Sequence, residues 1–128
     1  MPDLLLDTTV LIDVSRGNEQ IAHFLTKKIA ATEPAVSAVT VMELFVGVKN
    51  KQEMNAMGEL ISHFHPLPVT EPISEIGIGL IKMFILSHRL SIPDALIAAT
   101  ALTHNLTLVT SNIKHFRMIP NLVIQTPQ

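Results

Sequence analysis

The stretch Leu4–Asp13 reads LLLDTTVLID: three leucines run straight into an acid. Leu4-Leu5-Leu6 is apolar without a break and long enough for a short buried strand, and Asp7 follows it directly. In open α/β sheets, ligands bind beyond the carboxyl ends of strands, so Asp7 stands where a functional side chain is expected. The competing role is a turn residue or helix cap, because Thr8-Thr9 can begin a turn. Further along, Asn18 can cap a helix over Glu19–Thr32, with Ile21, Phe24, Leu25 and Ile29 on one face. Ala35-Val36-Ser37 is a candidate second strand, followed by a helix that starts near Ser37 or Thr40 and runs to about Lys49. A helix over Lys51–Ser62 turns Met54, Met57 and Ile61 inward, and His65–Val69 is extended because Pro66 and Pro68 oppose helix. Pro72 suits the first turn of a long helix to about Arg89. Pro93 starts another helix ending at His104, with Asn105 as its C-cap. Leu106–Thr110 and Leu122–Ile124 close the chain as strands. Strands alternating with helices imply a parallel sheet covered on both faces.

Two more acids share the setting of Asp7: Glu43 in VTVMELFVG (Val39–Gly47) and Asp94 in IPDALIAATAL (Ile92–Leu102). None of the three has Lys or Arg within four positions. An ionised carboxylate removed from water costs several kcal/mol unless it is paired or bound to a cation. Converging on one cation would share that cost, and the arrangement suits a metal-dependent hydrolase. Each acid also has a structural rival. Thr40-Val41-Met42-Glu43 and Ser91-Ile92-Pro93-Asp94 both fit the capping box, in which the acid reaches back to the first amide of a helix. Against capping, Glu43 is ringed by apolar residues and Asp94 leads into Ala95–Ala99, so all three acids are expected to be buried together.

The bulk numbers limit the alternatives. At 128 residues the chain reads as one domain, residues 1–128, large enough for a real core. Apolar residues make up 48% and charged residues 16%, against roughly 25% charged in an average domain. Mean hydropathy is +0.40. The longest uncharged run, Ala95–Ile113, carries too many Thr, Ser and Asn residues for a membrane span, so a covering partner better explains the apolar excess. A homodimer is the simplest such partner, and the Ile- and Leu-rich helix Pro72–Arg89 is its natural interface. The N-terminus MPDLLLD has no basic region or long apolar run to act as a signal peptide, and zero cysteine excludes a disulfide framework. Both fit a cytoplasmic protein. A net charge of −2 gives no global basic field, and with no Trp or Tyr there is no evident base-stacking platform. Phosphate-binding and nucleophile-elbow motifs are absent, and His63-Phe64-His65 reads as a strand edge rather than a zinc site. Gly77 and Gly79 fall inside the long helix, where they permit close packing.

Four blocks of the chain, LLLDTTVLIDVSRGN, SAVTVMELFVG, IPDALIAATAL and LTLVTSNIKHF, resemble in order and spacing the four motifs of PIN-domain ribonucleases, and within them the VapC-type toxins of toxin–antitoxin pairs. The resemblance covers essentially the whole chain. It implies a three-layer α/β/α domain around a parallel sheet of about five strands, and hydrolysis of RNA phosphodiester bonds with Mg²⁺ or Mn²⁺. Asp7, Glu43 and Asp94 fall on the family's acidic, metal-binding positions. Thr110 and Asn112 match its Thr-x-Asn motif bordering the metal, and Arg16, Lys49 and Lys114 are placed to contact phosphates. An antitoxin partner is implied as well, received on an apolar surface near Glu19–Thr32 and Val39–Lys49. One position departs from the pattern. Many relatives carry an acid at the place of Asn112 or of His115, and this chain has none there, leaving three acids instead of four. Two other classes remain. An aspartate-nucleophile phosphatase needs a second Asp where Thr9 stands. A catalytically weak PIN-fold module that keeps antitoxin binding is suggested by His115 and opposed by the three intact acids.

Overall fold

The computed structural model describes residues 2–128. Five short parallel strands form one sheet: β1 (Leu4–Leu6), β2 (Ala35–Ser37), β3 (His65–Leu67), β4 (Thr107–Val109) and β5 (Ile124–Gln125), in the order β3-β2-β1-β4-β5. Leu5 lies opposite Ala35 on one side and Leu108 on the other, so β1 is central. Side chains alternate across a strand, and the two faces of β1 accordingly feed two cores. Leu5 and Leu108 pack with Ile73, Leu80, Ile97 and Phe116 on one face of the sheet. Leu4, Leu6, Val36 and Val109 pack with Val10, Phe24, Leu44 and Phe64 on the other. Helices α5 (Glu71–His88) and α6 (Ile92–His104) cover the first face. The second is covered by α1 (Thr8–Ser15), α2 (Glu19–Ala31), α3 (Ala38–Val46) and α4 (Lys51–Ile61). This is the expected three-layer α/β/α arrangement.

The local signals explain most element ends. Asn18 accepts from the Ile21 amide at the start of α2, and Asn105 closes α6 in the left-handed conformation with φ 54°. Gly77 lets α5 approach α6: a methyl group there would lie 2.9 Å from Leu96 Cδ2. Gly79 has no such role, since nothing comes within 4 Å of its missing side chain. Three further expectations need correction. Thr8-Thr9 begins a full helix, α1, rather than a turn. Helix α3 starts at Ala38 under a Ser37 cap and stops at Val46, short of Lys49. On α4, Met54 points outward and is 40% exposed, because this helix lies at the margin of its core and buries none of its residues fully.

The strand order fixes where a site can form. From β1 the chain crosses to β2 on one side, and later returns to place β4 on the other. The carboxyl ends of β1 and β4 therefore flank the point at which the crossovers diverge, the usual binding crevice of such sheets. Asp7 follows β1 and Thr110 follows β4. The Asp7 amide donates to the Val109 carbonyl at 2.8 Å, holding the two ends together.

Candidate active site

Asp7 occupies the N-cap position of α1, with φ −71° and ψ 153°, yet its side chain caps nothing. It is instead 2% exposed, and its Oδ2 accepts from Thr9 Oγ1 at 2.7 Å and Thr110 Oγ1 at 2.8 Å. Oδ1 takes no hydrogen bond from any described residue and is not sealed from solvent. One oxygen is thus fixed and the other is left as a free acceptor. A hydroxyl can donate once and accept at the same time. Thr110 does both, receiving the Asn112 amide at 2.9 Å while it holds Asp7. Asn112 therefore borders the site through its backbone, and its side chain makes no recorded hydrogen bond among the described residues.

Glu43 lies in the second turn of α3, and its carboxylate is exposed rather than buried. The apolar ring around it in sequence splits: Val39 and Leu44 face the core, while Met42 and Val46 are 57% and 85% exposed. The capping box also fails here, because Ser37 supplies the cap by accepting from the Val39 amide. Glu43 Oε1 is 2.8 Å from Thr8 Oγ1, which in turn lies 2.9 Å from the fully buried Thr40 Oγ1. A carboxylate can only accept, so the single Thr8 proton goes to Glu43 and Thr40 donates to Thr8.

Asp94 sits in the first turn of α6 and is partly buried. Half of the capping box is present, since the Asp94 amide donates to Ser91 Oγ at 3.2 Å. Burial, and then the negative charge of Asp7, push the Asp94 carboxyl above its ordinary pKa, while His115 and Ser91 pull the other way. His115 Nδ1 lies 3.2 Å from Asp94 Oδ2. Asp94 thus senses the charge of Asp7, whereas Glu43 is steadied from the side by Thr8. Among the described residues, no three His, Asp or Glu side chains are already gathered into a metal cage. The donor set nevertheless suits a hard divalent cation: carboxylate oxygens, one of them an unclaimed oxygen on a buried acid beside a second acid with a raised pKa.

Three hydroxyls that position Asp7 and Glu43, those of Thr8, Thr9 and Thr40, were read in the sequence only as turn or capping residues and not as partners of the acids. A usable signal existed in the paired threonines directly after Asp7, where an otherwise apolar run of helix gives hydroxyls little to bond except the acids nearby.

The PIN domain pattern matches residues 4–121. The chain is 38% identical over 120 residues to Ribonuclease VapC19 of Mycobacterium tuberculosis, covering 92% of this chain and 95% of that protein. In structure it superposes on a toxin–antitoxin complex from Klebsiella pneumoniae with a TM-score of 0.79 and 32% identity, covering 98% of each chain. A DNA-bound VapBC from Salmonella typhimurium gives a TM-score of 0.86 over 100% of both chains at 23% identity, a likeness of fold.

Proposed function

The chain belongs to the PIN-domain family, and from that membership we infer that it is the ribonuclease toxin of a type II toxin–antitoxin pair, with residues 1–128 acting as one domain. Its substrate is RNA, its partner a cognate antitoxin, and its cofactor Mg²⁺ or Mn²⁺. The observation that carries this reading is Asp7, a buried carboxylate with one free oxygen at the divergence of the sheet, facing a second acid whose pKa is raised. Asp7, Asp94 and Glu43 would hold the cation. When bound, a divalent ion at such a site lowers the pKa of a water and neutralises charge on the scissile phosphate. The protein's own work is positioning. Thr9 and Thr110 fix Asp7, Thr8 fixes Glu43, and the Ser91 cap fixes the turn that carries Asp94. Thr110 and the Asn112 backbone border the cation without supplying a charge.

Arg16 and Lys49 share a groove of about 610 Å³ with Glu43, where they can hold the RNA backbone beside the acids, and Lys114 lies on the turn next to His115. The apolar wall of that groove is formed by Ile12, Val14, Leu44, Val48, Met57 and Leu60. It runs between α1, α3 and α4, so the antitoxin surface expected near α2 and α3 is better placed here. An antitoxin segment with apolar residues and one cation would fill the groove and exclude RNA in the same act. On the opposite layer, Ile78, Met83 and Leu86 of α5 are 59%, 62% and 92% exposed, and we assign them to a homodimer contact. No helix among the described residues is long and apolar enough to cross a membrane. With no cysteine, the chain suits the reducing cytoplasm.

The reading is tested by incubating the purified protein with single-stranded RNA and divalent metal, with and without chelator. A catalytically weak module kept for antitoxin binding draws on a single observation, the His115–Asp94 contact. It would bind the groove's partner and leave RNA intact in every metal.

A further inference from the structure

The contact between His115 and Asp94 places a nitrogen among oxygen donors. We propose that His115 Nδ1 is itself a ligand of the site's cation, and that the centre therefore selects Mn²⁺ over Mg²⁺; this rests on the metal-centre reading above. The position of His115 is built rather than incidental. It ends the 3-10 turn Ile113–His115, and the next residue, Phe116, is fully buried in the core and anchors the turn. The start of the turn is fixed too: the Asn112 carbonyl accepts from the His115 amide at 3.1 Å, while the Asn112 amide donates to Thr110 Oγ1. That same Thr110 hydroxyl holds Asp7 Oδ2. The imidazole and the buried carboxylate are thus mounted on one hydrogen-bonded frame.

Geometry and chemistry agree on the role. Two neighbouring ligands at right angles on a cation with bonds of roughly 2.1 Å lie about 3 Å apart. Nδ1 and Oδ2 are hydrogen-bonded to each other at 3.2 Å, so a cation entering between them would find the two donors already at about that spacing. The His115 side chain is 54% exposed and that of Asp94 20%, so an ion can reach both. With an imidazole as the additional donor, the cluster has three formal negative charges and one neutral nitrogen. Mg²⁺ binds nitrogen poorly, whereas a first-row transition ion accepts it. Mn²⁺ is such an ion and also suits a mainly carboxylate set.

The test is pulsed electron paramagnetic resonance of the full-length protein with one equivalent of Mn²⁺, paired with calorimetric titration of Mn²⁺ and of Mg²⁺. Wild type should show coupling to a directly bound nitrogen. His115→Ala should lose that coupling, and its preference for Mn²⁺ over Mg²⁺ should fall by about tenfold. His115→Asp should also lose the nitrogen signal while gaining Mg²⁺ affinity. Because the side chain is more than half exposed, neither variant threatens the fold. Bound Mn²⁺ without nitrogen coupling, or an unchanged preference in His115→Ala, would overturn the role of His115 and leave the metal centre standing. Wild type that binds no Mn²⁺ at one equivalent, with Asp94→Asn identical to it, would overturn both.

Discussion

At the scale of the residue, the site depends on how each carboxylate is held. Thr110 is fully buried and joins Asp7 to the Asn112 turn through one hydroxyl. Thr110→Val keeps the shape and removes both bonds, so it should cost about 1–3 kcal/mol in denaturant unfolding. It should also weaken metal binding about tenfold, with Thr110→Ser restoring most of it. Asp94 carries a linked prediction. Its pKa is raised above 3.8, chiefly by burial and by Asp7. A carboxyl with a raised folded pKa stabilises the protein below its unfolded value, and that contribution is lost as pH rises through the folded value. At neutral pH and without metal, Asp94 is therefore a net cost. Asp94→Asn should melt a few degrees higher than wild type at pH 7 in chelator, lose that advantage near pH 3, and bind no Mn²⁺. A lower melting temperature at pH 7 would mean that the contact with His115 outweighs the repulsion from Asp7.

At the scale of the element, the apolar excess of α5 is divided between two surfaces. Ile73 and Leu80 are buried and Ile76, Ile81 and Phe84 pack against the core, whereas Ile78, Met83 and Leu86 have nothing over them. Leu86→Glu should therefore convert a dimer to a monomer in sedimentation at micromolar concentration without changing the melting of the monomer. Ile81 is a poor probe of the same contact, because it belongs to the core. The elements were largely legible in the sequence because their ends carry strong local chemistry: Asn18 and Ser91 as caps, Pro72 and Pro93 in first turns, Asn105 as a left-handed stop. Helix α1 was legible only as the helix-cap alternative for Asp7. Its apolar residues Val10, Leu11 and Ile12 follow the strand closely, and only Asp7 in extended conformation separates the two elements.

At the scale of the whole molecule, the crevice at the ends of β1 and β4, proposed as the active site, is a product of topology that no short stretch encodes. Asp7 and Thr110 are 103 positions apart and meet only because β1 and β4 are neighbours. The isolation of three acids in apolar sequence overstated burial, since Glu43 is exposed and Asp94 only partly buried. A helix such as α3 can be apolar all round and still expose one side, as Glu43, Met42 and Val46 do. The hydroxyls that orient the acids stayed hidden for a related reason, since a threonine in an apolar run signals nothing until the fold brings a carboxylate to it. Filling the groove should stop cleavage: Met57→Lys, at a half-buried position of α4 that lines the groove, should weaken antitoxin binding at least tenfold while leaving metal affinity unchanged.

The most direct test compares cleavage of single-stranded RNA by wild type and Asp7→Asn, each stripped with chelator and then resupplied with Mn²⁺. Asp7→Asn retains the size and both hydroxyl partners of the side chain while removing its charge, and circular dichroism should show an unchanged fold. Wild type should fall silent in chelator and recover with metal, and the variant should stay at least about 100-fold slower than metal-restored wild type in both conditions. Cleavage by Asp7→Asn at the wild-type rate, or cleavage by wild type undiminished in chelator, would contradict the assignment of this crevice as a metal-dependent ribonuclease centre.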